Sequence, residues 1–384
     1  MGERMRICQV CSGDLWAGKE SVCAALSRGL ARSPRAEVSA VLFGEGRLAR
    51  ELRDAGIRVD VVDERQGGVR GMIRRMRSLL AETRPQVIHA HAYKEHILGV
   101  LAARGSGARV VRTLHGLPEP RSPGTWIRVR LLRALQSLAI HRGTDVLVVV
   151  SREMEARLGP KAGRARVVRI VNGIETERLP VDPDPEGFRR ELGLEKETVL
   201  FGAVGRLAPI KGLGVLLEAA AMLAREYPEH RYLIVGDGPS RADLERRAAN
   251  LGVAGSVLFL GHREDAVRVV GCLDALVMPS LHEGMPVTLL EARAFGVPVV
   301  ATRVGGVAEA VSSEQGLLVR PGDPDSLAEG LRKIRALGRR RGERSPSDRL
   351  GEFTAARMVG EHLRVYEEEA GAAAGGTGTR RDEP

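Results

Sequence analysis

Pro279-Ser280-Leu281-His282-Glu283-Gly284-Met285-Pro286-Val287-Thr288-Leu289-Leu290-Glu291-Ala292 is the stretch on which the fold turns. It follows the apolar run Ala275–Met278, which has the length and composition of a buried parallel strand. Gly284 and Pro286 break that strand, and Pro286 is suited to open a helix over Val287–Phe295. Gly296 and Pro298 stop the helix, and Val297–Ala301 reads as the next strand. Glu283 therefore stands at a strand's carboxyl end, and Glu291 about two turns into the helix. Their separation along a helix is about 12 Å at 1.5 Å per residue. That is the order of the distance from sugar to ribose in an extended nucleotide sugar. The helix start between them offers N–H groups to an anion such as a diphosphate. Two exposed glutamates on a surface helix would have the same spacing, so the choice rests on the surrounding chain.

The alternation of strand, glycine-rich turn and helix continues on both sides. Upstream, Val199–Val204 reads as a strand, Gly205–Gly212 as its loop and Leu213–Glu226 as a helix. Arg206 and Lys211 bracket that loop, as two cations clamping a diphosphate would. Tyr232–Val235 leads to Gly236-Asp237-Gly238-Pro239, and Val257–Leu260 to Gly261-His262-Arg263. Val304-Gly305-Gly306-Val307-Ala308-Glu309 is a further glycine-rich helix entry, and Gly316–Val319 the last strand.

The first half repeats the scheme. Arg6–Val10 is a strand, Ser12–Glu20 a loop, and Glu20–Arg32 a helix with Val22, Cys23, Leu26 and Leu30 on one face. The loop is neither GxGxxG nor a Walker sequence, which weighs against a dinucleotide or ATP site. Val38–Phe43, Arg58–Val62, Val87–His91, Val110–Leu114, Asp145–Val150 and Val167–Val171 read as strands. His89 and His91 point to one side of theirs. His115 sits at a strand's carboxyl end, where α/β proteins bind ligands. No carboxylate near these histidines completes a recognisable metal spacing. Val69, Met72, Ile73, Met76, Leu79 and Leu80 recur at helical spacing, with Arg70, Arg74, Arg75 and Arg77 opposite; Trp126–Arg142 reads as a second basic amphipathic helix.

The 384 residues, 43% of them hydrophobic, suffice for two α/β domains. The boundary is expected near 173–187, where Pro180–Pro185 reads as a linker. The tail from about Glu367 is acidic and then rich in Ala, Gly and Thr, the composition of a disordered end. No apolar run of transmembrane length and no apolar leader is present, and the four cysteines lie mostly in apolar patterns. A cytoplasmic location is therefore expected. The net charge of +10 is lopsided: residues 1–175 carry 31 Lys+Arg and 17 Asp+Glu, or +14. Such a half invites an anionic partner, including a membrane surface. Aromatic residues, at 3%, are too few for stacking on single-stranded nucleic acid, so none is expected as partner.

The second half resembles the family-4 retaining glycosyltransferases. The resemblance rests on Gly205-Arg206-Leu207 with Lys211-Gly212, Gly236-Asp237-Gly238-Pro239, Pro279-Ser280…Glu283-Gly284…Glu291-Ala292, and Gly305-Gly306…Glu309, all in the family's order and spacing. The first half is similar more loosely, through Gly13…Ala17-Gly18-Lys19-Glu20, Ile88-His89-Ala90-His91, Thr113-Leu114-His115-Gly116 and Asn172-Gly173. The resemblance covers roughly residues 5–365. It implies the GT-B fold, two Rossmann-like βαβ domains facing across a cleft. The acceptor-side domain would be 1–175 and the nucleotide-sugar domain 176–350. A C-terminal helix over 351–369 would return to the first domain, and 370–384 would form the disordered tail.

The resemblance also implies roles. Arg206 and Lys211 would hold the donor diphosphate, and Glu291 the ribose hydroxyls. Glu283, with backbone N–H groups near Met285 and Val287, would hold the transferred sugar. His115 would contact that sugar from the other domain, and Gly18 would let the backbone approach the donor. Lys19 stands where many members carry a small residue. The partners implied are a nucleotide sugar and a glycan, lipid-linked or small-molecule acceptor, with no metal or other cofactor. Two other readings fit the residues: another GT-B enzyme, either a sugar-nucleotide epimerase or a glycan phosphorylase, and a non-enzymatic basic module binding nucleic acid or membrane.

Overall fold

The computed structural model describes residues 4–63, 65, 67–116, 143–337 and 346–375. The helix expected over Trp126–Arg142 lies outside them. The chain divides into two units: one takes in the residues up to Gly173 and those from Ala355 onward, the other is Ile174–Thr354.

The first unit is built on seven parallel strands: β1 (Met5–Cys11), β2 (Ala36–Leu42), β3 (Arg58–Val61), β4 (Val87–Ala90), β5 (Arg109–Leu114), β6 (Val146–Val149) and β7 (Arg166–Arg169). Their order is β3-β2-β1-β4-β5-β6-β7. The central strands are apolar runs without alternation because both faces are covered: β4 and β6 are buried throughout. Helix Gly68–Thr83 turns Met72, Met76, Leu79 and Leu80 into a core with Cys8, Val10, Ile88 and Ala90. Each of these Met and Leu side chains contributes roughly 2 kcal/mol on burial. Arg70, Arg74, Arg75 and Arg77 of that helix are exposed. Helix Gly18–Ala31 packs against the C-terminal helix Ala355–Gly375, with Gly29 so close to Val359 that an added Cβ would stand 2.4 Å from its Cγ2. Residues 370–375, expected to be structureless, are thus helical, because this helix continues past its acidic stretch.

The second unit holds six parallel strands: β8 (Val199–Val204), β9 (His230–Val235), β10 (Val257–Gly261), β11 (Ala275–Met278), β12 (Val299–Thr302) and β13 (Gly316–Val319). They run in the order β10-β9-β8-β11-β12-β13. The core joins Leu216, Leu217, Ala220 and Leu223 of helix Leu213–Leu223 to Phe201, Ile234, Val277 and Val300 of the sheet. The Pro180–Pro185 stretch is not a free linker. It is pinned to this unit, where the Pro183 carbonyl accepts from Arg268 Nε at 3.2 Å and from Cys272 Sγ at 2.9 Å, and Pro185 opens helix Pro185–Glu191.

In each sheet the first strand in sequence lies centrally, and the order reverses beside it: between β1 and β4, and between β8 and β11. Loops leaving the carboxyl ends of strands on either side of such a reversal diverge and leave a crevice, which is where open α/β sheets bind ligands.

Candidate active site

In the second unit, the reversal brings the loop after β8 against the loop after β11. Leu281 N–H donates to the Ile210 carbonyl at 2.8 Å, so the Pro209–Lys211 turn and the start of the 279–286 loop are tied backbone to backbone. Gly212 has φ of 61°, and an added Cβ would stand 2.0 Å from the Pro279 carbonyl oxygen. Only glycine permits that approach. Lys211 is thereby delivered to Glu283: Nζ lies 2.6 Å from Glu283 Oε1. The same oxygen accepts the Ser280 hydroxyl at 2.7 Å. Ser280 is buried, and Thr302 Oγ1 donates to its carbonyl at 2.5 Å. The Glu283 carboxylate is therefore held from two sides before any ligand arrives.

Arg206 sits in the same loop, which is knitted to the turn after β9 by Leu207 N–H donating to the Asp237 carbonyl at 2.9 Å. Its side chain is exposed and has no acidic partner among the described residues. Met285 and Val287 are buried in the core, so only their backbone can face a ligand. Helix Val287–Phe295 starts at Pro286, an extended residue with no side-chain cap, which leaves its first-turn N–H groups for an anion. Glu291 lies two turns along that helix and does not join the Lys211–Glu283 pair. It is half-buried, and among the described residues no donor or cation reaches it; burial pushes its carboxyl up to about 7.

The remaining two of the eight residues named from sequence lie in the first unit. Gly18 is exposed at the start of helix Gly18–Ala31, behind Ala17, which supplies no side-chain cap. Lys19 is used within the loop: Nζ donates to Ser12 Oγ at 2.7 Å, and the Ser12 hydroxyl donates to Glu20 at 2.9 Å. His115 follows β5 directly, with Nε2 3.2 Å from His91 Nδ1. Burial, with His91 and Lys19 nearby, holds His115 well below the usual imidazole range, so it is neutral. Among the described residues no group of three or more His, Cys, Asp or Glu is placed to hold a metal ion.

Ser280, Thr302, Gln9 and Tyr366 are polar residues of these sites that the sequence did not single out. A lone hydroxyl or amide carries no periodicity. The only signals were the position of Ser280 beside Pro279 and the placing of Gln9 one residue from the end of an apolar strand.

Comparison with known proteins agrees with this architecture. The model for Glycosyltransferase Family 4 matches residues 16–178, and that for Glycosyl transferases group 1 matches residues 184–345. EpsF of Bacillus subtilis (strain 168) is 30% identical over 311 residues, 77% of this chain and 78% of that protein. The D-inositol 3-phosphate glycosyltransferase of Corynebacterium urealyticum is 38% identical over 205 residues, 50% of this chain and 48% of that one. The 2-deoxystreptamine glucosyltransferase of Streptomyces kanamyceticus is 30% identical over 248 residues, 62% and 64% of the two chains. The match thus spans from about half to just under two thirds of the length of the last two relatives. Among solved structures, HepE of Anabaena in complex with UDP and glucose has a TM-score of 0.78 at 22% identity, over 95% of this chain and 100% of that one. Sucrose-phosphate synthase of Thermosynechococcus elongatus gives 0.80 at 19%, over 96% and 100%. At those identities the structural likenesses speak for the fold, which is GT-B. The tandem family matches and the extent of the EpsF alignment complete the case: the chain belongs to the family-4 glycosyltransferases.

Proposed function

We propose that the protein is a retaining glycosyltransferase that moves a sugar from a nucleoside diphosphate to an acceptor hydroxyl without a metal ion. The observation that carries this reading is the Lys211–Glu283 pair at the β8/β11 reversal, beside the uncapped start of helix Val287–Phe295. Breaking the bond from the anomeric carbon to the diphosphate oxygen leaves negative charge on the phosphate and an oxocarbenium-like sugar. In this reading Lys211, held against Glu283, the exposed Arg206 and the helix start supply the positive groups that meet that charge. The acceptor oxygen bonds to the anomeric carbon on the face the phosphate leaves, and its proton passes to a phosphate oxygen. Glu283 positions the sugar. One of its oxygens already takes both Lys211 and Ser280, an arrangement that weakens it as a nucleophile. His115 and Gly18 supply the contacts of the first unit with sugar and donor, and the backbone at Met285 and Val287 those of the second.

The test is a thermal-shift screen of the full chain against UDP- and GDP-sugars, followed by proton NMR of the product anomer with an acceptor panel. A stabilising donor and a product of retained configuration support the reading. No shift with any donor, an epimerised donor in the absence of acceptor, or phosphate-dependent release of sugar phosphate from a glycan would overturn it.

Glu291 makes the reading pH-dependent. Its carboxyl titrates at about 7 when folded, against an ordinary 4.5. Below the ordinary value both folded and unfolded chains are protonated there. Between 4.5 and 7 only the unfolded chain releases the proton, so stability falls as pH rises, by up to about 3 kcal/mol. Ribose hydroxyls donating to the carboxylate reverse that cost, so donor affinity should rise about tenfold from pH 6 to pH 8. Glu291→Gln should remove both trends in denaturant melts and calorimetry.

A lipid-linked or otherwise anionic acceptor fits the charge of the first unit, whose helix Gly68–Thr83 exposes Arg70, Arg74, Arg75 and Arg77. No described helix is long and apolar enough to cross a membrane. The protein is accordingly proposed to be cytoplasmic and to sit peripherally on an anionic surface. It should sediment with vesicles containing phosphatidylglycerol at low salt and be released above about 0.5 M salt, where screening is short-ranged. Charge reversal at Arg74 and Arg75 should abolish sedimentation, and equal binding to neutral vesicles would refute the electrostatic account.

A further inference from the structure

The loop that carries Glu283 is tied to β12 within the second unit by a short run of hydrogen bonds. β11 ends beside β12, with Met278 paired to Ala301, so the next residue, Thr302, meets the chain as it leaves β11. Thr302 Oγ1 lies 2.5 Å from the Ser280 carbonyl and 3.3 Å from that of Met278. A hydroxyl has one proton to donate, and the shorter contact takes it. The Ser280 hydroxyl lies 2.7 Å from Glu283 Oε1. The acceptors set both directions: a backbone carbonyl and an ionised carboxylate only accept, so neither an amide orientation nor a ring tautomer enters. Ser280 and Thr302 are buried, at 2% and 1% exposure. Lys211, the other partner of Oε1, is of a different kind: its side chain is 30% exposed and its ammonium sits at the end of a flexible stem. Glu283 Oε2 has no hydrogen-bond partner among the described residues.

We infer that Ser280 and Thr302 are positioning residues: Thr302 fixes the peptide that carries Ser280, and Ser280 keeps Glu283 in place through Oε1 when Lys211 turns to the diphosphate. The part played in transfer rests on the glycosyltransferase reading above; the hold of Ser280 on the carboxylate does not. A single ammonium cannot keep its full contact with Glu283 and also follow the charge that grows on a departing phosphate. In the free chain Glu283 is held by a mobile cation and a fixed hydroxyl, and with donor bound the hydroxyl is the one that stays. A hydroxyl donating to a carboxylate makes a short, charge-assisted hydrogen bond. A buried serine, with little side-chain freedom to lose, keeps that bond at small entropic cost. Without it the carboxylate can swing onto Lys211 and draw the ammonium from the phosphate. A displacement of about 1 Å at such a group costs on the order of 10²-fold in rate. Thr302 acts one step further back, at the strand end beyond which Gly306 N–H holds the Gly284 carbonyl at 2.7 Å.

Three variants of the full chain test the inference: Ser280→Ala, Thr302→Val and Thr302→Ser. Crystal structures of the ligand-free variants give a reading that does not depend on activity. In Ser280→Ala the Glu283 carboxylate should leave its place and close on Lys211 alone, and a carboxylate that keeps its place would overturn the positioning role. Steady-state kinetics and calorimetry use the UDP- or GDP-sugar that stabilises the protein, and UDP or GDP alone. Ser280→Ala should lower kcat about 10–100-fold, while affinity for the nucleoside diphosphate alone stays within about threefold. Thr302→Val should lose about 5–20-fold in kcat, and Thr302→Ser, which keeps the hydroxyl, should restore most of it. Thr302→Ser no better than Thr302→Val, or a loss of nucleoside-diphosphate affinity as large as the loss of rate, would mean that the pair serves only the fold. Unchanged kcat in Ser280→Ala would sink the role in transfer. If the unaltered chain binds no nucleotide sugar, the functional reading has failed, and the crystal structures still decide whether Ser280 holds Glu283. Should Thr302→Val fold poorly, Ser280→Ala, which removes a single oxygen, decides the matter.

Discussion

Lys211→Ala should lower kcat/KM for sugar transfer by about 10²–10³-fold while the protein keeps its fold. The ammonium lies 2.6 Å from Glu283 and stands at the crevice where the diphosphate would depart. Its removal leaves the developing phosphate charge with Arg206 and the helix start alone. It also leaves Glu283 with Ser280 as its only side-chain hydrogen-bond partner among the described residues. The Lys211 side chain is 30% exposed but that of Glu283 only 9%, so water replaces part of what the ion pair supplied and a modest loss of stability, about 1–2 kcal/mol, is expected beside the much larger loss of rate. Lys211→Arg should recover only part of the rate, because a planar fork cannot occupy the place of a point charge held in a tight turn. Undiminished turnover in Lys211→Ala would remove the donor-site assignment. A matching loss of melting temperature would mean that the residue serves the fold instead.

Gly305→Ala should be more damaging to the molecule than any side-chain deletion in the site. Gly305 has φ of 51°, and an added Cβ would stand 1.9 Å from the backbone oxygen of Glu283. The left-handed conformation alone costs about 1–2 kcal/mol with a side chain, and the obstacle is backbone, which cannot rotate aside. Next to it, Gly306 N–H donates to the Gly284 carbonyl at 2.7 Å, so pushing the two loops apart also breaks this bond. We expect a loss of about 3–5 kcal/mol in urea melts, with nucleotide-sugar binding lost in proportion. A melt within 1 kcal/mol of the unaltered protein would show that the loops yield at little cost.

Much of this was legible in the sequence. The strands flanking the Glu283 loop were marked by apolar runs and by glycine and proline stops, and Ala275–Met278, Val287–Phe295 and Gly316–Val319 fall where the pattern put them. Strong turn punctuation and strands buried on both faces leave little room for another reading. The Pro180–Pro185 stretch misled because prolines and acids signal a linker locally, whereas what holds it is the Pro183 carbonyl meeting Arg268 and Cys272, more than eighty residues away. The end of the last helix was missed because its glycines and alanines resemble a loose tail. In the site, Lys211 and Glu283 could be named as charged residues on glycine-rich turns. Their direct pairing could not, since 72 residues separate them and only the strand order brings them together. The contacts of His91 with Gln9 and His115 were least readable: Gln9 lies on β1 while His91 and His115 follow β4 and β5, and residues so placed share no period.

The chain passes from the first unit to the second at Gly173–Ile174 and returns at Thr354–Ala355. The lobe carrying Lys211, Glu283 and Glu291 is consequently one uninterrupted segment. The lobe carrying His115 is not. It is assembled from two distant portions of the polypeptide, and cutting the chain after Thr354 would take Tyr366 away from His89. A nascent chain emerging from the ribosome must therefore hold its opening lobe incomplete until the closing helix has been synthesised.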